Sequence, residues 1–376
     1  MDSNQKKFNL YVFLSTFSRN LIEVFIPIIL YKFGYSLKEV ILYYLIVNLF
    51  IVVLVYPSIY IAKKYSNRLL ALTGIFSFVV VQYLLTQINL SFSYMLILSF
   101  FYAIYRLEYW LSRRFYNLKV IHKDDISNSY SLISIVNQIA LIVSSYVGAL
   151  FLDFISIEIL TLISMFLFLF SLFPLYKLKF EHEKNDTKIS LVKTIKKIPI
   201  NNLYIFGAYE SINVIKFLFS LYLFIYVKDN YQTIGIMNLL TNLSTIVFAY
   251  FYGKKINDKK TNYLSLSIIF MVIVYVLKVN FTTYILVLIA FLEGIATKMY
   301  ELSVSKEMYS LSKKFEYANY NLVYELVLSV FRSVVLLICY LFIDDLKIMI
   351  YVSILFVFIS AFVKYKPLKV KDYEVE

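Results

Sequence analysis

Long apolar runs separated by short polar stretches occupy the chain from end to end. We identify twelve such runs of about 20 residues, the length that an α-helix needs to cross the roughly 30 Å hydrocarbon core of a bilayer. We number them segments 1 to 12, at 8–31, 38–62, 69–87, 91–112, 126–151, 156–176, 202–227, 231–252, 262–279, 281–303, 318–343 and 347–364. The pattern predicts an all-α polytopic membrane protein with about twelve transmembrane helices.

The longest polar stretch, 177–201, divides the chain into two sets of six segments. We therefore predict an N-terminal six-helix bundle at 1–178, a cytosolic linker at 179–200, a C-terminal six-helix bundle at 201–364 and a cytosolic tail at 365–376. The two halves show no visible sequence identity, so their correspondence is positional. Transporters are often built from two related bundles with a substrate site between them.

The basic residues are distributed unevenly between alternate connections. With the N-terminus inside, 27 of the 37 Lys and Arg residues fall in inner stretches, five fall in outer stretches, including Lys278, and five are intramembrane. The positive-inside rule then places both termini in the cytosol. The formal charge of +13 is a topology signal, and we expect a multi-pass protein of the cell membrane that binds no nucleic acid.

Composition excludes several functional classes. Hydrophobic residues make up 61% of the chain, which leaves no room for a sizeable soluble domain. Cys339 is the only cysteine, and His122 and His182 are isolated in predicted loops, so we expect no metal site and no cofactor. There is no phosphate-binding glycine motif and no nucleophile arrangement, so we do not expect an enzyme. The many aromatic residues receive no functional weight, and Tyr109 and Trp110 are interpreted as interface anchors.

Ten ionisable residues interrupt the apolar segments. A charge in hydrocarbon costs several kcal/mol unless it faces protein or a water-filled cavity, so these residues predict a transport pathway. They lie on segments 1, 4, 7, 10 and 11: Arg19, Glu23, Arg106, Glu108, Glu210, Lys216, Glu293, Lys298, Glu325 and Arg332. Segments 3, 6, 9 and 12 have none in their cores, and segments 2, 5 and 8 carry amides that we expect to bridge helices: Asn48, Asn137, Gln138, Asn238 and Asn242.

Helical spacing indicates which of these side chains share a face. Arg19 and Glu23 are four residues apart and can pair, with Asn20 beside them. Residues 210, 213 and 216 step by three along segment 7, so Glu210, Asn213 and Lys216 can line one wall. Glu325 and Arg332 are seven apart on one face of segment 11.

Two further pairs are less simple. Arg106 and Glu108 lie about 200° apart on a helix and cannot face the same cavity, and we expect Arg106 to face inward. Glu293, near the midplane, needs a cation, either Lys298 of its own helix or a base across the cavity. Glu301 is interpreted as a solvated helix end and left out of the site. Five bases and five acids make a near-neutral site, which leaves the substrate's charge open.

The loops after segments 2 and 8 carry basic motifs, SIYIAKKYSNR at 58–68 and GKKINDKK at 253–260. With the six-plus-six arrangement and the long central loop, they resemble the major facilitator superfamily, whose members repeat a basic, glycine-containing signature in these two loops. Gly253 is retained, Asn257 stands at the acid position and Asp258 follows it, while the first copy lacks the glycines and the acid. The resemblance implies a gating role for seven residues: Lys63, Lys64, Arg68, Gly253, Asn257, Asp258 and Lys259.

The resemblance also implies that segments 1, 4, 7 and 10 line a central cavity and that segments 3, 6, 9 and 12 face lipid. We therefore expect a secondary active transporter that moves a small molecule by alternating access, driven by protons through Glu23, Glu210, Glu293 or Glu325. We expect it to act as a monomer in the bilayer. A lipid or lysolipid transporter and a non-transporting binding or accessory protein remain as alternatives.

Overall fold

The computed structural model describes residues 3–120, 126–178, 190–226, 231–252, 263–280, 283–312, 317–342 and 344–363. Within these residues the chain is helical and has no strands. Segments 1 to 6 are formed by helices at Ser3–Glu23 with Ile26–Lys32, Leu37–Lys64, Asn67–Leu85, Phe92–Ile104 continuing to Trp110–Val120, Ile126–Phe154, and Ile157–Phe170 with Leu172–Tyr176. Segments 7 to 12 are formed by helices at Ile200–Tyr226, Tyr231–Tyr252, Tyr263–Asn280, Thr283–Ser312, Tyr317–Phe342 and Leu346–Ile359.

Helix therefore lies at each of the twelve predicted segments in the described part of the chain. Eight of them, segments 1, 2, 3, 5, 6, 7, 8 and 11, are long and apolar enough to cross a membrane. Segments 9 and 12 have shorter apolar helices. Segments 4 and 10 are less apolar because they contain charged residues. The all-α membrane fold is confirmed, and the count of about twelve transmembrane helices stays a prediction.

Short polar residues set the starts of several helices. The Ser36 side chain accepts the backbone N–H of Glu39 while the Glu39 carboxylate accepts the Ser36 N–H, which makes a capping box at the start of segment 2. Ser66, Ser91 and Ser156 cap segments 3, 4 and 6 through their own side chains. Because these caps satisfy backbone donors within a few residues, the connections can be short.

Two segments are interrupted where their charged residues lie. Segment 1 breaks after Glu23 and restarts at Ile26, with Pro27 in the first turn of the new helix. Segment 4 contains a wide π turn over Tyr105–Tyr109, a feature frequently found at functional sites. A Cβ at Gly74 of segment 3 would lie 2.7 Å from the Tyr109 backbone nitrogen, so glycine is needed for segment 3 to pack against this turn.

The helices pack in a pattern that repeats after six segments. Segment 1 contacts 5 and 6, segment 3 contacts 4 and 6, and segment 2 contacts 4. Segment 7 contacts 11 and 12, segment 9 contacts 10 and 12, and segment 8 contacts 10. Between the halves, segment 2 packs mainly on 11 and segment 5 on 8. The domain boundaries themselves, including the linker at 179–200, stay a prediction; a short helix, Leu191–Lys197, lies within that linker.

Candidate substrate cavity

A cavity of about 690 Å³ lies between the two halves. Its wall includes residues from segments 1, 2, 4, 5, 7, 8, 10 and 11, and in the described residues segments 3, 6 and 12 contribute none. Ten of the eleven site residues predicted from the sequence lie on this wall: Arg19, Asn20, Glu23, Arg106, Glu210, Asn213, Lys216, Glu293, Glu325 and Arg332. Lys298 does not. Their role in binding a substrate or ion stays a prediction.

The first cluster on the wall is built around Glu23. Its carboxylate forms the expected ion pair with Arg19, one helical turn away. It also accepts hydrogen bonds from the Tyr102 and Tyr105 hydroxyls, at 3.3 and 3.1 Å, on segment 4. The Arg19 guanidinium lies 4.9 Å from the centre of the Trp110 ring. Glu23 is thus held by one cation and two hydroxyl groups in the N-terminal half.

The two charged side chains of segment 4, which lie in the π turn, point to different surroundings as their spacing predicted. Arg106 lies on the cavity wall. Glu108 points to neighbouring helices, where it accepts a hydrogen bond from Ser58 of segment 2 at 2.9 Å and another from Thr73 of segment 3. Asn20 links segments 1 and 5 by donating to the hydroxyls of Ser144 and Ser145.

In the C-terminal half the carboxylates are paired differently from the sequence expectation. Glu293 pairs with Lys278 of segment 9 at 2.5 Å and accepts from the Thr241 hydroxyl at 3.3 Å. Lys298 instead pairs with Glu301 at 3.2 Å. Of the two partners expected for Glu293, Lys298 was therefore wrong, because residues 293 and 298 are five apart on the helix whereas 298 and 301 are three apart. The partner is a base from another helix of the cavity wall.

Three other expectations are also corrected by these contacts. Lys278 was counted among the outer-loop residues, yet it is buried and lies on the cavity wall, so segment 9 does contribute a charge. Glu301, left out as a solvated helix end, lies on the same wall. Tyr109 is fully buried and Trp110 lines the cavity beneath two guanidinium groups, so neither is an interface anchor.

Glu210 and Glu325 complete the set of paired acids. Glu210 accepts a hydrogen bond from Asn213 at 2.5 Å and lies 3.8 Å from the Arg332 guanidinium. Glu325 of segment 11 forms an ion pair with Arg114 of segment 4, which joins the two halves. The Arg114 guanidinium also lies 5.1 Å from the centre of the Tyr324 ring.

Sequence reasoning missed Arg113 and Arg114 because both were assigned to an inner loop. The buried Arg113 donates to Thr16 at 3.0 Å, Tyr109 at 3.2 Å and Asn137 at 2.6 Å. The sequence did contain a signal for Arg113, because residues seven apart share a helix face and Arg113 lies seven residues after Arg106. The five amides of segments 2, 5 and 8 also line the cavity; Asn137 bridges helices as expected through its contacts with Thr16 and Arg113.

The predicted gating residues are only partly described. Arg68 donates to the Leu178 carbonyl at 2.7 Å and lies 5.3 Å from the centre of the Tyr176 ring, so it ties segment 3 to the end of segment 6 within one half. Lys64 is exposed near the Tyr60 and Tyr65 rings, and Lys63 is half-buried at the end of segment 2. Gly253, Asn257, Asp258 and Lys259 lie outside the described residues.

Three solved structures of transporters are similar to this chain in fold. A mutant of the nucleoside transporter NupG gives a TM-score of 0.69 at 13% identity, with 96% of this chain and 98% of that one covered. The human organic anion transporter MFSD10 (TETRAN) gives 0.66 at 11% identity, covering 96% and 100%. A bacterial metal transporter gives 0.62 at 15% identity, covering 96% and 98%.

No curated protein sequence matches the chain. The family model described as Major Facilitator Superfamily matches residues 8–306, which is most of the chain and includes segments 1 to 10. At these low identities the solved structures establish the fold alone, whereas the family match establishes membership. With its helical membrane fold and its charged central cavity, this chain belongs to the major facilitator superfamily and is a membrane transporter.

Proposed function

We propose that the chain is a secondary active transporter that moves a small polar molecule by alternating access and has no enzymatic activity. The observation that carries the proposal is the cavity of about 690 Å³ whose charged wall is drawn from both halves. A site built in this way changes its accessible side when the halves rock against each other. The three similar structures are of transporters for a metal, for organic anions and for nucleosides, so they support transport without indicating one substrate.

We further propose that protons drive the cycle. Each of the four acids Glu23, Glu210, Glu293 and Glu325 faces a cation, in ion pairs with Arg19, Arg332, Lys278 and Arg114 respectively. Protonation neutralises a carboxylate and releases its cation, which changes the attraction between the helices that carry them. The pair between Glu325 and Arg114 joins the halves, so its release favours their separation.

The coupling proposal predicts that at least one of four single substitutions uncouples transport. Glu23→Gln, Glu210→Gln, Glu293→Gln and Glu325→Gln are reconstituted in vesicles that contain a pH-sensitive dye, and a panel of metabolites is added. A coupled protein moves protons when a substrate is added, and an uncoupled variant moves the substrate without them.

The matched control is Glu158→Gln, because Glu158 is exposed at the start of segment 6 and lies off the cavity wall. This variant should retain full proton movement. Wild-type coupling in all four cavity variants would exclude these acids as proton carriers and contradict the proposed energy source.

A further inference from the structure

The cations of the cavity outnumber its carboxylates. Seven Lys and Arg residues and five Glu residues lie on the wall, an excess of two positive charges. The two sets are Arg19, Arg106, Arg113, Arg114, Lys216, Lys278 and Arg332, and Glu23, Glu210, Glu293, Glu301 and Glu325. The near-neutral balance expected from the sequence was therefore wrong. It omitted Arg113, Arg114, Lys278 and Glu301, and it included Lys298 and Glu108, which lie off the wall.

The ion pairs leave some wall cations without a carboxylate partner among the described residues. Each wall carboxylate has one cation partner, in the pairs Arg19–Glu23, Arg332–Glu210, Lys278–Glu293, Lys298–Glu301 and Arg114–Glu325. Within the described residues, Arg106, Arg113 and Lys216 have no carboxylate partner within ion-pair distance. Arg113 is nevertheless well satisfied by three neutral oxygens and by the Trp110 ring. Arg106 and Lys216 are the two wall cations still able to bind an anion.

These two residues lie on different halves of the molecule. Arg106 is half-buried in segment 4, beside the Tyr102 hydroxyl, and Glu23 and Glu210 are within electrostatic reach. Lys216 of segment 7 is exposed and lies on the cavity wall, and its charge acts on the neighbouring Lys278. Arg106 of the N-terminal half also lies within electrostatic reach of Arg332 of the C-terminal half, so these two cations repel each other. An anion between the halves would reduce this repulsion.

We propose that the transported substrate is a small organic anion whose carboxylate or phosphate group binds between Arg106 and Lys216. This inference rests on the proposed transport function and gives it a substrate class. A cationic group is disfavoured, because all five carboxylates of the wall are engaged and an ammonium group would have to displace a resident cation. Hydrogen bonds between a cation and an anionic carboxylate or phosphate are shorter and stronger than hydrogen bonds between neutral groups.

Aromatic rings beside the two cations indicate the rest of the ligand. Phe217, the residue after Lys216, stacks on Tyr44 with ring centres 4.4 Å apart, and both rings line the cavity. Tyr102, beside Arg106, and Trp110, four residues after Arg106 on segment 4, also line it. A planar apolar body attached to the anionic group would contact these rings and bury apolar surface.

Matched ligand pairs test the substrate class without requiring transport. The purified full-length protein is unfolded by heat in the presence of benzoate or benzamide, and of phenyl phosphate or phenol, at fixed pH and ionic strength. We expect the anion of each pair to raise the unfolding temperature more than its neutral partner does. Arg106→Gln and Lys216→Gln should each weaken the apparent affinity for the anion by roughly ten- to a hundredfold, the usual range for losing one charge-assisted hydrogen bond.

Two control variants separate charge from folding. Arg106→Lys keeps a cation at the same place and should retain most of the anion preference. Lys196→Gln removes a charge from an exposed position in the linker helix and should leave the preference unchanged.

Equal shifts for the anion and its neutral partner, including no shift for either, overturn the inference. So does an anion preference that survives in the double variant Arg106→Gln, Lys216→Gln. Selective anion binding by a protein that fails to transport in vesicles would contradict the proposed function while supporting the substrate class. Proton-coupled transport of neutral molecules without transport of anions would contradict the substrate class while supporting the proposed function.

Discussion

At the scale of single residues, the pair between Lys278 and Glu293 is the most buried of those on the cavity wall. The two side chains are 7% and 4% exposed, and the Lys278 ammonium also lies 3.8 Å from the centre of the Phe219 ring. Removing one member of a buried pair leaves an uncompensated charge, which typically costs about 3–5 kcal/mol. The sequence did not reveal this pair because Lys278 lies at the end of an apolar run, where a lysine is usually solvated.

This pair gives a prediction for stability. Lys278→Gln or Glu293→Gln alone should lower the free energy of unfolding by about 3 kcal/mol or more, and the double variant should lose less than the sum of the two. Chemical or thermal unfolding of the four purified proteins measures the interaction energy. Additive losses would mean that the two residues do not stabilise each other.

Arg106 and Arg113 differ in the partners that their side chains find. Both are guanidinium groups on one helix, seven residues apart, and sequence spacing places them on the same face. Arg113 finds three neutral oxygens from segments 1, 4 and 5, whereas Arg106 finds only one tyrosine hydroxyl among the described residues. Spacing alone therefore predicts a shared face but not which partners each guanidinium group finds.

At the scale of elements, close helix contacts depend on a few glycines. Gly294 of segment 10 lies against segment 8, where a Cβ would overlap the Thr241 carbonyl and the Ser244 hydroxyl. Thr241 also hydrogen-bonds to Glu293, the residue before Gly294, so this contact positions a charged wall residue. Small residues at helix crossings let two backbones approach closely in membranes.

Gly294→Ala tests this contact. In an uncrowded helix the change from glycine to alanine stabilises by roughly 1 kcal/mol, so a loss of stability here would show that the overlap with segment 8 outweighs helix propensity. We expect a lower unfolding temperature and reduced transport. Ser244→Ala should not rescue the variant, since the Thr241 carbonyl remains; full rescue would show that only the hydroxyl matters.

The helices of segments 1 and 4 are interrupted, which is also a feature of single elements. Apolar periodicity predicted one continuous helix in each case. Segment 1 instead restarts at Ile26 next to Pro27, which is a recognisable signal, and segment 4 widens over Tyr105–Tyr109 without proline or glycine in the turn. The packing of Gly74 against Tyr109 shows that the wide turn is formed together with its neighbouring helix.

At the scale of the whole molecule, side-chain contacts join the two halves at the helix ends that the predicted topology places on the outer side of the membrane. Lys38 at the start of segment 2 pairs with Asp344, before segment 12, at 2.6 Å. Phe25 of segment 1 meets Tyr231 of segment 8 edge-on, with ring centres 5.7 Å apart. Alternating access requires such contacts to open during each cycle.

A reversible cross-link tests that requirement. Lys38→Cys and Asp344→Cys are combined in a Cys339→Ala background, because Cys339 is the only other cysteine and is buried. A short, reducible thiol cross-linker that joins the two positions should abolish transport, and a reductant should restore it. Each single-cysteine variant treated in the same way is the control. Unchanged transport by the cross-linked protein would contradict alternating access at this end.

The sequence by itself determined that the protein lies in a lipid bilayer, and it identified most of the charged residues on the cavity wall. Long apolar runs specify helices in a bilayer, and Arg19, Glu23, Glu210 and Arg332 stand out because hydrocarbon tolerates charge only where protein or water covers it. The tertiary structure decided the pairing: Lys278 with Glu293, and Arg114 with Glu325 across the halves. These ion pairs form between helices that are distant in sequence, so only packing determines which cations on the cavity wall are paired with a carboxylate.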